Sequence, residues 1–332
     1  MLFCAALITG APPAVSGVAL AQALANRPAQ PPEAQPKFRS SVDMVSISAV
    51  VRDRKGRFVR DLAENDFIIA EAGQPRRIID FQADSDGPVN LVMLVDVSGS
   101  MRVGTKAAAA RQTASHLLSA LRPTDRAALF AFDTRLERVS GFTSDFATLE
   151  SALNHIDLPF GQTSVYDAVA ETARILSVEA GAARAAHQSS QRSAIVVLTD
   201  GIDTRSRLTA GQVSGLASAI DVPVYVVALM SPVDDPSNLP VPAKVEAPAG
   251  DLRSLARWTG GELFTASAPA HASIAARQIV DELRHQYVLG FEASAQPGWR
   301  PLEVRARDRD LTVRARTGYT AGESSGNAIA ER

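Results

Sequence analysis

The chain has 332 residues, 46% hydrophobic and 21% charged, a balance that supports a packed core and excludes bulk disorder or collagen-like structure. Lys+Arg number 34 against 36 Asp+Glu, so the formal net charge is -2 and the basic footprint of a nucleic-acid binder is missing. The single cysteine, Cys4, lies in an apolar N-terminal stretch, which removes disulfide scaffolds, thiolate zinc sites and cysteine nucleophiles from the rest of the chain.

Residues 1–25 carry no charge and contain Ala19-Leu20-Ala21, an A-x-A-like cleavage signal. They read as a secretory signal peptide, although a positive n-region is lacking. Pro12 and Pro13 argue against a stable spanning helix; a retained anchor is the alternative. Residues 26–40 are rich in proline and read as an extended linker.

The next segment, 41–87, is β-like. Val45–Val51 alternates apolar with small polar residues at period two. Asp53–Gly56 forms a turn, after which Phe58-Val59 is expected to resume a strand. Asp66–Glu71 and Arg76–Phe81 flank a second expected turn at Gly73-Gln74-Pro75. So few short strands cannot close a core alone and need partners from elsewhere.

The middle, 88–285, changes character. Asn90–Val95 is a continuous apolar run, as in a strand buried on both faces. Strands are expected at Arg126–Phe132, Ser193–Leu198, Val222–Leu229 and Gly261–Phe264. Helices are expected at Lys106–Leu121, Phe146–Ile156, Tyr166–Val178, Ala210–Ile220, Leu252–Trp258 and Ala270–His285. This alternation implies βαβ units around a mostly parallel sheet with helices on both faces, an α/β fold. Glu179–Arg192 and Ser231–Gly250 read as surface loops. The end, 286–320, returns to strands at Tyr287–Phe291, Leu302–Arg307 and Leu311–Arg316, with Asp308–Asp310 as a turn. The two β-rich flanks are expected to pair into one smaller β-sandwich into which the α/β core is inserted. Residues 321–332 read as a disordered tail.

One motif carries chemistry. Asp96-Val97-Ser98-Gly99-Ser100-Met101 follows the first buried strand and puts one carboxylate and two hydroxyls at its carboxyl end. In open α/β sheets that crevice is where ligands bind. Thr163, before a helix, and Asp200, after the Ser193–Leu198 strand, fall on the same rim. Five oxygen ligands with two carboxylates suit a hard divalent cation, Mg2+ first and Mn2+ or Ca2+ next, rather than zinc.

This pattern resembles the metal-ion-dependent adhesion site of von Willebrand factor type A domains. Asp96, Ser98 and Ser100 match the family's D-x-S-x-S, Thr163 its separate threonine and Asp200 its later aspartate. The flanks VVRDRKGRFVRDLAENDFIIAEAGQPRRIIDF and YVLGFEASAQPGWRPLEVRARDRDLTVRARTGY resemble secreted bacterial VWFA-related proteins. Ala72 stands where that family often has an acidic residue in its hairpin turn. The resemblance implies that Asp96, Ser98 and Ser100 hold the ion, that Thr163 and Asp200 assist directly or through water, and that a partner's Glu or Asp carboxylate fills the open position.

Plainer readings stand beside these. Asp133 reads as a strand-end cap, and Asp167 and Asp203 as either caps or supports of the site. The five histidines have no metal-ligand spacing. Arg305, Arg307, Arg309, Arg314 and Arg316 read as a solvated strand face, with an anionic-ligand patch as the alternative. The chain is therefore expected to be an exported (periplasmic or extracellular), non-enzymatic, cation-dependent protein-binding module. No nucleic acid or small-molecule substrate is expected. An envelope scaffold with a purely structural metal is the alternative, followed by a Mg2+-dependent hydrolase, for which the chain lacks a P-loop and a G-x-S-x-G elbow.

Overall fold

The computed structural model describes residues 44–83, 87–157, 161–185, 192–219, 221–230, 250–294 and 296–321. The expected leader, the linker, all but the last residue of the Ser231–Gly250 insert and the tail after Ala321 lie outside the described residues. The first four strands are β1 (Met44–Arg52), β2 (Phe67–Glu71), β3 (Gln74–Arg76) and β4 (Ile78–Gln82). They are followed by β5 (Val89–Asp96), helix α1 (Lys106–Ala120), β6 (Arg126–Phe132), β7 (Leu136–Thr143), α2 (Phe146–Asn154) and α3 (Val165–Ala185). Then come β8 (Arg192–Thr199), α4 (Ala210–Ala219), β9 (Val224–Leu229), α5 (Gly250–Thr259), β10 (Leu263–Ala266) and α6 (Pro269–Arg284). The chain closes with β11 (Gln286–Glu292), β12 (Gly298–Ala306), β13 (Thr312–Ala315) and β14 (Gly318–Ala321).

The central sheet has the order β10-β9-β8-β5-β6-β7. All its pairings are parallel except β6 with β7. Its apolar strands are covered on both faces, and β5 shows how. Leu91, Met93 and Val95 pack with Ala110 and Leu117 of α1, Leu149 of α2 and Ile279 of α6. Val92 and Leu94 point the other way, into Val169 of α3, Val213 of α4 and Leu255 of α5. Period-two alternation thus divides one apolar run between two helical layers.

The flanks form two four-stranded sheets, β13-β1-β11-β4 and β14-β12-β2-β3. Ile47, Leu289 and Phe291 of the first share a core with Phe67, Ile69, Leu302 and Tyr319 of the second. β1 runs antiparallel to β11 over seven residue pairs, Met44↔Glu292 to Val50↔Gln286, so N- and C-terminal segments build one sandwich around the α/β core.

Several local expectations are corrected. Phe58 makes only an isolated bridge to Arg52, not a strand. The hairpin turn is Ala72-Gly73, one residue earlier than expected, with φ of 47° and 79°; Gln74 and Pro75 belong to β3. Helix α3 runs on to Ala185, through the first half of the expected 179–192 loop. The Ala, Glu and Arg of residues 179–185 are strong helix formers. The polar strand β7, unnoticed in sequence, is the antiparallel edge of the central sheet. Asp308–Asp310 is the turn expected, but the strands on either side of it part. β12 pairs with β2 and β14, whereas β13 crosses to β1 in the opposite sheet.

The arginine stripe is corrected in part: Arg305, Arg307 and Arg309 are exposed as expected, but Arg314 and Arg316 are not. Arg314 is paired with Glu262 and Glu282, and Arg316 with Asp221 and the Ser46 carbonyl. Glu282, fully buried on α6, also accepts from Arg52 at 2.7 Å. Nearby Arg284 donates to Asp125 at 2.5 Å, and Asp125 also accepts from the Val89 N–H that begins β5. Arg52 and Arg314 fasten the sandwich to α6 through Glu282, and Arg284 fastens α6 to the start of the sheet through Asp125. No helix among the described residues is long and apolar enough to cross a membrane.

Candidate metal centre

β5 and β8 are hydrogen-bonded neighbours, so Asp96 and Asp200 emerge side by side at their carboxyl ends. Asp96 is fully buried. Its Oδ1 accepts the Ser98 N–H at 2.9 Å and its Oδ2 accepts the Thr199 hydroxyl at 2.6 Å. The chain then makes one 3-10 turn, Gly99–Arg102, which folds Ser100 back toward Ser98. Their Oγ atoms lie 3.1 Å apart. Asp96, Ser98 and Ser100 thus form one continuous cluster of oxygens.

Thr163 arrives on the loop before α3 and is buried. That loop is bonded to both others by backbone. The Gly99 N–H donates to the Gly161 carbonyl at 2.9 Å. The Thr163 carbonyl accepts from Thr204 at 3.0 Å and Arg205 at 2.9 Å, beyond Asp200. Gly161 also meets Asp133 closely: a Cβ there would sit 2.6 Å from Asp133 Oδ2. The absence of a side chain lets the loop approach β6.

Asp133 accepts the Arg135 N–H at 2.9 Å, the turn role expected for it. Asp167 and Asp203 resolve as loop anchors. Asp167 accepts the N–H groups of Arg207 and Leu208, and Asp203 those of Arg205 and Ser206. They hold the loop that contacts Thr163.

Two residues of the site were missed in sequence. Thr199 links the acidic strands: it donates to Asp96 and accepts the Gly201 N–H at 3.1 Å. Gly201 has φ of 87°, a left-handed conformation that suits glycine. The second is Lys106, whose Nζ lies 3.1 Å from Asp200 Oδ2, with 9% of the lysine side chain and 1% of the aspartate side chain exposed. A usable signal existed. A lysine that opens a helix faces the positive end of the helix dipole, so a compensating anion is expected nearby.

Burial raises the carboxyl pKa of Asp96 to about 6. The Thr199 and Ser98 hydrogen bonds oppose this, and the Asp200 charge adds to it. Two neighbouring carboxylates with serine and threonine hydroxyls make a hard-oxygen donor set, and excess negative charge in a buried place is relieved by a cation. The residues present fit a divalent ion.

Residues 91–202 match the von Willebrand factor type A domain family. No curated protein matches by sequence. Among solved structures, an aerotolerance-related membrane protein from Bacteroides fragilis is similar at 19% identity and TM-score 0.46, with 59% of this chain and 98% of that chain covered. A von Willebrand factor type A protein from Catenulispora acidiphila is similar at 14% identity and TM-score 0.46, covering 85% and 74%. So is proximal thread matrix protein 1 from the mussel byssus, with a zinc-occupied MIDAS motif, at 14% identity and TM-score 0.45, covering 64% and 49%. The match falls on the doubly covered parallel sheet, so residues 91–202 carry a von Willebrand factor type A domain within this chain.

Proposed function

We propose that the chain is an exported protein-binding module that captures an acidic residue of a partner through a divalent cation. Domains of this type are generally interaction modules. The observation that carries the reading is the convergence of Asp96, Ser98, Ser100, Thr163 and Asp200 on three loops stitched together by backbone hydrogen bonds. In this reading Asp96, Ser98 and Ser100 hold Mg2+ or Mn2+ directly, and Thr163 and Asp200 complete the set. The bound ion supplies an electrophilic position for a carboxylate. The protein's own part is to keep that position rigid and poor in negative charge. Thr199 fixes the Asp96 carboxylate, and the Gly99–Gly161 bond fixes the serine loop against the threonine loop.

Val103 and Ile202 support the reading. Both are exposed apolar residues, at 60% and 39%, on the loops that follow the two aspartates. Apolar side chains beside an ion site give a partner something to bury around its carboxylate. We assign the binding domain to 88–285 and the supporting sandwich to 41–87 with 286–320. Export rests on the apolar leader sequence 1–25.

The test is binding of short Glu- and Asp-containing peptides to the full chain in Mg2+ and in EDTA. Acidic peptides are expected to bind only with Mg2+, and their Gln and Asn counterparts not at all. Binding that ignores EDTA, or that survives Asp96→Ala, contradicts the proposal.

A further inference from the structure

We propose that Lys106 is a resident counter-ion that makes this site hold a divalent cation weakly alone and strongly together with a monoanionic ligand. The inference rests on the metal-binding reading above and adds the charge of the ligand to it. Its basis is the Lys106–Asp200 pair: 3.1 Å apart, with 9% and 1% of the two side chains exposed. Lysine is almost never this buried unless paired, and here it also opens α1, at the dipole end that repels a cation. Two unfavourable placements coincide on one side chain, which aims its charge at the site.

Charge bookkeeping gives the consequence. Asp96 and Asp200 each contribute -1 and Lys106 contributes +1, so the protein charge at the site is -1. A dication brings the cluster to +1, whereas without Lys106 it would reach neutrality. Buried charge is costly unless balanced. A carboxylate from the partner restores neutrality at +1, while a neutral amide or hydroxyl ligand does not. Lys106 also occupies Asp200 Oδ2, leaving Oδ1, which accepts the Ile202 N–H at 3.4 Å, as that side chain's other oxygen. Metal and anion should therefore enhance each other's binding, and by linkage the enhancement is reciprocal.

The test titrates Mn2+ calorimetrically into the full chain, with sodium acetate or with sodium chloride at equal ionic strength. The same titrations are run on Lys106→Met, Lys106→Gln and Asp96→Ala. Acetate should tighten Mn2+ binding to the wild type. Lys106→Met, with similar length and no charge, should bind Mn2+ alone roughly tenfold more tightly and lose most of the acetate enhancement. Lys106→Gln, which can still donate to Asp200, should behave in the same direction and serves if the methionine variant does not fold. Folded lysine variants that bind Mn2+ no more tightly than wild type, or keep the full acetate enhancement, overturn the counter-ion role alone. Mn2+ binding retained by Asp96→Ala, or absent from every variant, overturns the metal reading beneath it. Binding too weak to detect in wild type but measurable in Lys106→Met supports both.

Discussion

The two ends of the α/β core handle buried charge in opposite ways. At one end buried acids have full partners: Glu282 takes Arg52 and Arg314 of the sandwich, and Asp125, beside the start of β5, takes Arg284 of α6. At the opposite, carboxyl end of β5, Asp200 is paired with Lys106 while Asp96 has only hydroxyl and N–H donors, and the Asp96 carboxyl is pushed up to about 6. Balanced charge fastens one element to another. Unbalanced charge in a rigid setting leaves a place for an ion from solution. The difference separates a structural cluster from the proposed binding site even though both are buried and acidic.

The contrast can be broken first at the interface. Glu282→Ala leaves Arg52 and Arg314 facing each other without their shared acid, and should cost about 3–5 kcal/mol, read by urea denaturation. The metal affinity of the fraction still folded should be little changed. At the site the pattern should invert. Thr199→Val removes the donor to Asp96 Oδ2 and the acceptor of Gly201 N–H. It should weaken Mn2+ binding by about 1–3 kcal/mol, the cost of leaving buried polar groups unpaired. Calorimetry of the folded variant checks this.

A pH series sharpens the comparison further. Burial pushes the Asp125 carboxyl up, but Arg284 and the N–H groups of Arg122 and Val89 outweigh it, so its pKa is lowered. Folding therefore favours the charged form. The stabilisation is complete above the unfolded value, near pH 4, and is lost as pH falls through the lower folded value. Asp125→Asn should be less stable than wild type at neutral pH and should lose less stability on acidification below about pH 4, in urea midpoints measured across that range. The smallest expected effect lies in the sandwich hairpin, where Ala72 adopts φ of 47°. Ala72→Gly or Ala72→Asn should stabilise the chain by about 0.5–1 kcal/mol by easing a left-handed residue in a two-residue turn. Thermal unfolding reads it.

The central strands were legible because burial on both faces leaves continuous apolar runs; β6 coincides with its expected span, Arg126–Phe132. β7 was not, because LERVSGFT at a sheet edge carries neither such a run nor clean alternation. Pairing in the sandwich was only partly legible. Alternation marks Leu311–Arg316 as extended, but only tertiary packing decides that β13 joins β1 rather than β12. At the site, Asp96, Ser98 and Ser100 are close in sequence and stand out together. Thr163 and Asp200 are far from them in sequence; their places before a helix and after a buried strand put them on the same rim, and the family resemblance matched them to the motif. Thr199 hid as the last residue of a buried strand, and Lys106 hid among helix residues. Arg314 and Arg316 looked solvated because their acids, Glu262, Glu282 and Asp221, come from distant parts of the chain.

The most direct test of the central claim is a calorimetric titration of Mg2+ and Mn2+ into the full chain beside Asp96→Ala, with folding of both checked by circular dichroism. Saturable binding of one ion per chain, abolished in the folded variant, is the expected result. Equal binding by the two proteins, or none by either with and without an acidic peptide, would contradict the assignment of this oxygen cluster as a metal centre.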